Sequence, residues 1–422
     1  MTSTGSSSSV PADGAAEERA DLVVGLATYN SADALQSAGD ALRWLVDGGF
    51  GGVSSQVVLA DGGSTDGTPD RVRALVGPLR LVSLQYPVQA SDLLAQPYHG
   101  VPGRLRAVER ILRQAEAAGA RACVVIDPAA GGTGSEWLGW LAEPVLAGTA
   151  DFVSTVRARH AYAGAVIKAI VAPVFRAAYG VRLRHPVADT FAVSGRLLQH
   201  YLTEGEWQAD GALPALDLRL PAIAASEGFT IAEAILRAPT QEARESRDLS
   251  SALSQAVGAL FGELERSPDS WQRVRRSSPV AVFGRPPGQL TAPAINAERL
   301  AEAFRLGSRE LKDLWAMVLP PLASIELRKV ADAPLGRFRF EDQLWARVVY
   351  DYAIAYRLRM LARDHLLPSL VPLYLGWLAS FVLQTEAADP AGADARLEDL
   401  CRVFEQEKPY LISRWRWPER RK

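Results

Sequence analysis

The stretch Gln56-Val57-Val58-Leu59-Ala60, with the turn that follows it, Asp61-Gly62-Gly63-Ser64-Thr65-Asp66-Gly67-Thr68, decides the architecture of this chain. A nearly unbroken apolar run reads as a strand covered on both faces, the way strands of a parallel sheet are buried. Asp61 ends that strand. Glycines at 62 and 63 let the backbone turn or come close to a ligand, and Asp66 or Thr68 supplies the cap of a helix predicted over Thr68–Val76.

The same alternation continues on both sides. Leu22–Thr28, Leu81–Tyr86 and Ala122–Asp127 read as further strands, and Asp33–Val46 as a crossover helix. Gly103–Ala118 puts Leu105, Val108, Leu112 and Ala115 on one helical face, so it should pack on the sheet. The fold class is therefore α/β, a mostly parallel, Rossmann-like sheet with helices on both faces, followed by an α-helical C-terminal domain. After Asp248 the strand signal fades and helical runs take over: Asp248–Arg266, Glu298–Leu319, Phe340–Leu361 and Leu366–Gln384. The expected division is a disordered tail over 1–20, the α/β domain over 21–275, a linker or loop over 276–294 rich in proline and glycine, and the helical domain over 295–422. Asp389–Ala393 reads as a loop.

Composition narrows the function. With 422 residues, 48% hydrophobic and 22% charged, the chain is globular and long enough for two domains. Its 46 basic and 48 acidic residues, net −2, do not suggest nucleic acid as a partner. Two cysteines, Cys123 and Cys401, exclude a disulfide framework and a cysteine-based zinc site, and point to a reducing, cytoplasmic compartment. The first twenty residues lack the basic and apolar segments of a secretion signal. Leu366–Leu383 approaches the roughly 20 apolar residues that span a bilayer, but Pro368, Pro372 and Gly376 argue for a buried helix, so no transmembrane segment is expected.

Ligands of parallel sheets bind beyond the carboxyl ends of the strands. That rule selects Thr28-Tyr29-Asn30, the Asp61–Thr68 turn, and Asp127-Pro128-Ala129-Ala130-Gly131-Gly132. Asp61 is placed to accept hydrogen bonds from a base or ribose. Asp-Gly-Gly-Ser is equally good as a plain turn leading into a capped helix. It is not a Walker phosphate loop, because the lysine is missing.

The combination of Thr28-Tyr29-Asn30 with Asp61-Gly62-Gly63-Ser64-Thr65-Asp66-Gly67-Thr68 resembles the nucleotide-binding half of GT-A glycosyltransferases, family-2-like enzymes that use nucleotide-diphosphate sugars. Pro102-Gly103-Arg104 resembles their Pro-Gly-Lys segment. Arg157-Ala158-Arg159-His160 with Gly164, then Pro173, Tyr179-Gly180 and Arg184-His185-Pro186, looks like the acceptor half of mannosylglycerate synthase and glucosyl-phosphoglycerate synthase relatives. The resemblance implies a hexosyltransferase moving a sugar from a UDP- or GDP-linked donor to a small-molecule hydroxyl acceptor. It assigns Thr28, Tyr29, Asn30, Asp61, Gly62, Gly63 and Arg104 to the nucleotide, and Arg159, His160, His185 and Asp189 to the acceptor. Asp217 and Asp127 become the catalytic candidates, with helix capping as the alternative for Asp217. A homo-oligomer is compatible with the same family.

The departures from that family bear on chemistry. Relatives hold Mg2+ or Mn2+ through Asp-x-Asp after the fourth strand, where this chain has Asp127-Pro128-Ala129, so the ligand set is incomplete and the motif degenerate. A family histidine after the last strand has no counterpart in Leu236–Leu249, where Thr240 aligns best. Gly-Gly before an acidic residue and Phe is replaced by Ala188-Asp189-Thr190-Phe191. Two readings follow: transfer without a metal, the diphosphate charge being met by Arg104, Arg157, Arg159, Lys168 or an arginine among Arg237, Arg244 and Arg247, or a catalytically inactive descendant kept for nucleotide binding, protein interaction or assembly. A third makes the helical domain the functional surface, with Arg414-Trp415-Arg416-Trp417 and the basic end meeting an anionic membrane face or a protein, against the plainer reading of a solvated end.

Overall fold

The computed structural model describes residues 19–94, 100–130, 132, 134–158, 160–204, 207, 215–237, 249–284 and 294–416. Eight strands form one sheet: β1 Leu22–Thr28, β2 Ser55–Asp61, β3 Arg80–Gln85, β4 Ala122–Ile126, β5 Phe152–Ala158, β6 Phe191–Ser194, β7 Ile231–Arg237 and β8 Ala281–Phe283. Their order is β3-β2-β1-β4-β6-β5-β7-β8. All pairings are parallel except those of β6 with β4 and β5. The chain order reverses at β1, which pairs with β2 on one side and β4 on the other.

Burial follows from alternation along the strands. Leu22, Val24 and Leu26 of β1 join one apolar cluster with the helices Leu35–Val46 and Trp137–Leu146. Val23 and Ala27 face the other cluster, which takes in the helix Arg104–Ala117. At Gly25 that helix comes so close that a Cβ would collide with the Ile111 side chain.

The second cluster runs on into the helical region without a break. Trp345 Nε1 donates to the Ala169 carbonyl at 3.0 Å, and the buried Arg176 guanidinium pairs with Glu398 at 2.7 Å and Glu405 at 3.0 Å. The apolar stretch singled out above lies in the helical span Arg363–Thr385, long and apolar enough by composition to cross a membrane, and 72% of its most apolar window is buried inside the protein. Trp377 stacks between Trp345, at 6.0 Å, and Phe381, at 5.2 Å.

Three sequence expectations need correction. Asp389–Ala393 is not a loop: Asp389 caps the helix Pro390–Trp415, accepting the Gly392 N–H at 2.7 Å, with Pro390 at the first helical position. The run Glu298–Leu319 is two helices, Ala297–Glu310 and Lys312–Val318, broken at Leu311. The end of the chain, as far as it is described, is not wholly solvated: Trp415 is buried against Trp271, ring centroids 5.2 Å apart, while Arg416 is exposed. Residues 417–422 and residues 285–293 of the segment expected as a linker lie outside the described residues, and the described part of that segment holds β8, paired with β7.

Candidate functional site

Parallel register sets Thr28 beside Asp61 at the carboxyl edge of the sheet. Both are buried, and Thr28 Oγ1 donates to Asp61 Oδ1 at 2.7 Å. The same oxygen accepts from Ser64 Oγ at 2.6 Å, and Oδ2 accepts the Gly63 and Ser64 amides at 3.0 and 2.8 Å. The carboxylate therefore shapes the turn that follows it. Asn30, in the left-handed region at φ 46°, ties the first loop to the second: its amide donates to Ser64 Oγ and its Oδ1 accepts from the Thr65 amide, each at 2.8 Å. Asp66 adds another tie by accepting the Ala32 amide at 2.9 Å. Tyr29 is half-buried and packs on the core.

The floor of this rim is Tyr86, which sequence reasoning used only as a strand end. Its hydroxyl donates to the carbonyls of Thr28 and Pro102, at 3.1 and 3.0 Å. Burial pushes that phenol well above its ordinary range. At Gly62 a Cβ would meet Val88 at 2.7 Å and the Tyr86 ring at 2.9 Å, whereas at Gly63, with φ 91°, nothing lies within 4 Å. Gly63 thus presents bare backbone to open space.

Beneath the end of β4 lies a buried cluster of charge. Arg104, 2% exposed, donates from Nε to Asp217 Oδ1 at 3.0 Å and from Nη2 to the carbonyls of Ala188 and Asp189 at 3.1 and 2.6 Å. Burial works against its charge, yet Asp217, Asp127 and Asp189 outweigh it and hold the guanidinium above its ordinary pKa. Arg157 pairs with Asp189, whose Oδ1 also accepts from Thr155 Oγ1 at 3.1 Å and from the Thr190 amide at 2.6 Å. Asp127 accepts the Ala129 amide at 2.9 Å, and its own amide donates to Thr190 Oγ1 at 3.1 Å.

The sequence candidates thus fall into two places. Thr28, Tyr29, Asn30, Asp61, Gly62 and Gly63 form the rim, and Arg104, Asp127, Asp189 and Asp217 form the buried cluster. Arg104 lies in the interior rather than among groups facing the rim, because its Nε and Nη2 are bound to Asp217 and two carbonyls. His185 Nδ1 lies 3.1 Å from the Val187 carbonyl, and the backbone amides of Arg184 and His185 are held by the buried Glu233. His160 meets the Tyr162 ring edge-on at 6.3 Å, and its carbonyl accepts from Lys168 Nζ at 2.9 Å. Arg159, Thr240, Arg244 and Arg247 lie outside the described residues. Thr155, Thr190 and Glu233 were missed by sequence reasoning. Nothing local marks them, since their partners Asp189, Asp127 and Arg184 lie 34, 63 and 49 residues away in sequence.

A divalent cation does not fit the described residues. No group of three or more His, Cys, Asp or Glu side chains among them could hold one. Ala129 stands where the resemblance expects a carboxylate, and Asp127 turns an oxygen to the Ala129 backbone instead.

No family model matches the sequence, and no curated protein matches it. Solved structures similar to the chain include a mycobacterial protein, at 20% identity over 59% of this chain and 75% of the other, TM-score 0.40. A mannosyltransferase from Pyrobaculum calidifontis, solved with GDP-Man and Mn2+, is 16% identical over 96% of this chain and 89% of its own, TM-score 0.39. Mannosyl-3-phosphoglycerate synthase from Rubrobacter xylanophilus is 17% identical over 66% and 80%, TM-score 0.38.

Proposed function

We propose that the protein binds the nucleoside end of a UDP- or GDP-linked sugar at the rim formed by Thr28, Tyr29, Asn30, Asp61, Gly62 and Gly63. The observation that supports this reading is position. Two loops, cross-tied by Asn30 and Asp61, stand at the carboxyl ends of β1 and β2, next to the reversal of chain order between β1 and β4. Open α/β sheets take their ligands at such a point. Asp61 acts here by holding the Gly63 and Ser64 amides in place, while the exposed Asn30 side chain, the Tyr29 ring and the Gly63 backbone are the groups for the ligand to touch. Asp217 and Asp127, the catalytic candidates, are positioning groups in this reading, since both are buried and Asp217 is bound to Arg104.

The chemistry that best suits this geometry is donor-sugar binding without metal-dependent transfer. Metal-independent transfer to a hydroxyl acceptor is the second reading, favoured by Arg157: its side chain is 17% exposed and paired with a carboxylate, which a diphosphate could replace in kind. The acceptor groups in the second reading would be His160, His185 and Arg159.

A thermal-shift panel of UDP, GDP and their sugars, with and without Mg2+ or Mn2+, tests the proposal. A stabilisation by one nucleotide series that does not depend on metal, and that falls in Asn30→Ala, is expected. Absence of any shift would overturn the rim as a nucleotide site. Release of UDP or GDP from the stabilising sugar in the presence of hydroxyl acceptors separates the second reading from the first.

A further inference from the structure

Charge is unevenly spread over this chain. Its totals are 46 basic and 48 acidic residues, yet residues 266–278, 357–365 and 414–416 together carry nine arginines and two carboxylates, Asp269 and Asp364. The fold brings these three segments together around Trp415. The Trp415 ring packs on Trp271, its carbonyl accepts from Arg357, and Arg416 Nε donates to Gln272 Oε1 at 2.5 Å. We propose that this end of the helical region is a docking surface for a bilayer containing anionic phospholipid, with arginines on the lipid phosphates and the side chains of Leu358 and Met360 below them.

A plainer role explains only some of these arginines. The helices Leu249–Arg266, Asp342–Leu358 and Pro390–Trp415 all end in these segments, and basic side chains offset the partial negative charge of helix C-termini. Arg357 does so at the Trp415 carbonyl, while Arg363 and Arg414 pair with Glu265 at 3.1 Å and with buried Asp351 at 2.9 Å. Arg275 reaches only the Gln272 carbonyl, at 3.4 Å, and Arg416 only the Gln272 side chain. Arg273, Arg276 and Arg359 are exposed, and their side chains make no hydrogen bond or ion pair with the described residues. Five arginines thus stand near one another without a carboxylate partner, a field that favours an anionic surface from outside. Arg359, left-handed at φ 53°, turns the chain out of its helix between Leu358 and Met360, each 43% exposed. Apolar side chains beside unpaired arginines match a bilayer, whose phosphates take guanidinium forks and whose acyl boundary takes the apolar groups. An acidic protein would answer the charge and leave the two apolar side chains unexplained. None of these residues belongs to the nucleotide rim, so the proposal does not rest on nucleotide binding.

The test is co-sedimentation of the full-length protein with vesicles of phosphatidylcholine, either pure or with about 30% phosphatidylglycerol. Wild type is expected to sediment with the anionic vesicles only, and to be released by roughly 0.5 M NaCl, where surface charge is screened. Arg273→Glu with Arg359→Glu should lower the affinity at least about tenfold, since each basic residue near such a surface contributes roughly fivefold. Its melting temperature should match wild type, because neither side chain has a partner to lose. If that variant does not fold, Arg273→Gln with Arg359→Gln decides: a severalfold loss of binding supports the surface, and unchanged binding overturns it. Leu358→Ser with Met360→Ser should also weaken binding, while what remains is still released by salt. Wild type that ignores anionic vesicles, or binds neutral ones equally well, overturns the proposal. So does full binding by Arg273→Glu with Arg359→Glu, or binding to polyglutamate without binding to vesicles, which would make the partner an acidic protein.

Discussion

The side-chain oxygen of Asn30 lies 2.8 Å from the backbone nitrogen of Thr65, which fastens the loop after the first strand to the loop after the second. Asn30 holds the left-handed conformation, φ 46°, that asparagine tolerates better than most side chains. Asn30→Ala should therefore cost about 1–2 kcal/mol, from the lost bond and the backbone conformation together. Asp61→Ala leaves four donors without their acceptor and should cost more, about 2–4 kcal/mol. Urea unfolding of the two variants checks the order. An Asp61→Ala protein less affected than Asn30→Ala would mean that the carboxylate does not organise the turn.

The two glycines after Asp61 differ in kind. Gly62→Ala drives a methyl against Val88 and the buried Tyr86 ring, at 2.7 and 2.9 Å, so it acts through packing and should cost about 1–3 kcal/mol. Gly63→Ala meets nothing within 4 Å but forces an alanine to φ 91°, a cost of roughly 1–2 kcal/mol from the backbone alone. The variants are separated by a second substitution. Tyr86→Leu replaces the ring and hydroxyl but leaves Val88, so it should relieve part of the cost of Gly62→Ala and leave that of Gly63→Ala unchanged; relief of Gly63→Ala as well would contradict this account.

How much of this was legible in the sequence differs by residue. Strands β1 to β4 could be read because each is a short apolar run closed by its own turn; the helix Thr68–Val76 was placed correctly, but its N-cap is Gly67 without a side-chain cap, and Asp66 accepts the Thr68 amide at 3.0 Å instead. The interlock of Asn30, Ser64 and Asp66 was half legible: the turn chemistry was plain, and the choice between a ligand-binding Asp61 and a turn-forming one was not. The burial of Arg104 was out of reach, because its partner Asp217 is 113 residues away and nothing near either residue announces the pairing. Antiparallel β6 was missed for a related reason. A four-residue strand, Phe191–Ser194, carries too little pattern to show its direction, which is set by the strands on either side. Asp389 was misread because an Asp-Pro pair suits both a turn and a helix start, and the length of the helix beyond it decides.

Asp351 should make the stability of the helical region depend on pH in a sense opposite to that of an ordinary surface carboxylate. It is buried, and burial pushes its carboxyl up to about 6 even though Arg414 and the Tyr410 hydroxyl favour its charge. Its folded pKa is raised above the unfolded value of 3.8, so its contribution is fully present below about pH 4 and is lost as the pH rises through about 6. The size is about 3 kcal/mol. Asp351→Asn cannot lose a proton, so the melting temperature of the variant minus that of wild type should rise between pH 4 and 6 and then level off. A difference that stays flat across this range would show that the carboxyl titrates normally. The subtraction matters because Asp151 and Glu398, whose pKa values are lowered in the folded protein, add stability over the acid range in both proteins.

Trp415 fixes what the carboxyl-terminal helix is for. The indole is 1% exposed, meets Trp271 edge-on at 5.2 Å, and is covered by the Arg357 guanidinium 4.7 Å above its ring. Those contacts join the last helix to the segment after Leu249–Arg266, so the end of the described chain closes the core. Trp415→Ala should cost about 3–5 kcal/mol, as expected for a large aromatic removed from a packed interior. Deletion from residue 414 onward should cost at least as much, since it also removes the Arg414 partner of buried Asp351. The discriminating pair is Trp415→Phe, which keeps a ring beside Trp271 and should retain much of the stability, against Trp415→Arg, which puts a charge there and should lose it. Equal stability for the two would place this side chain at the surface.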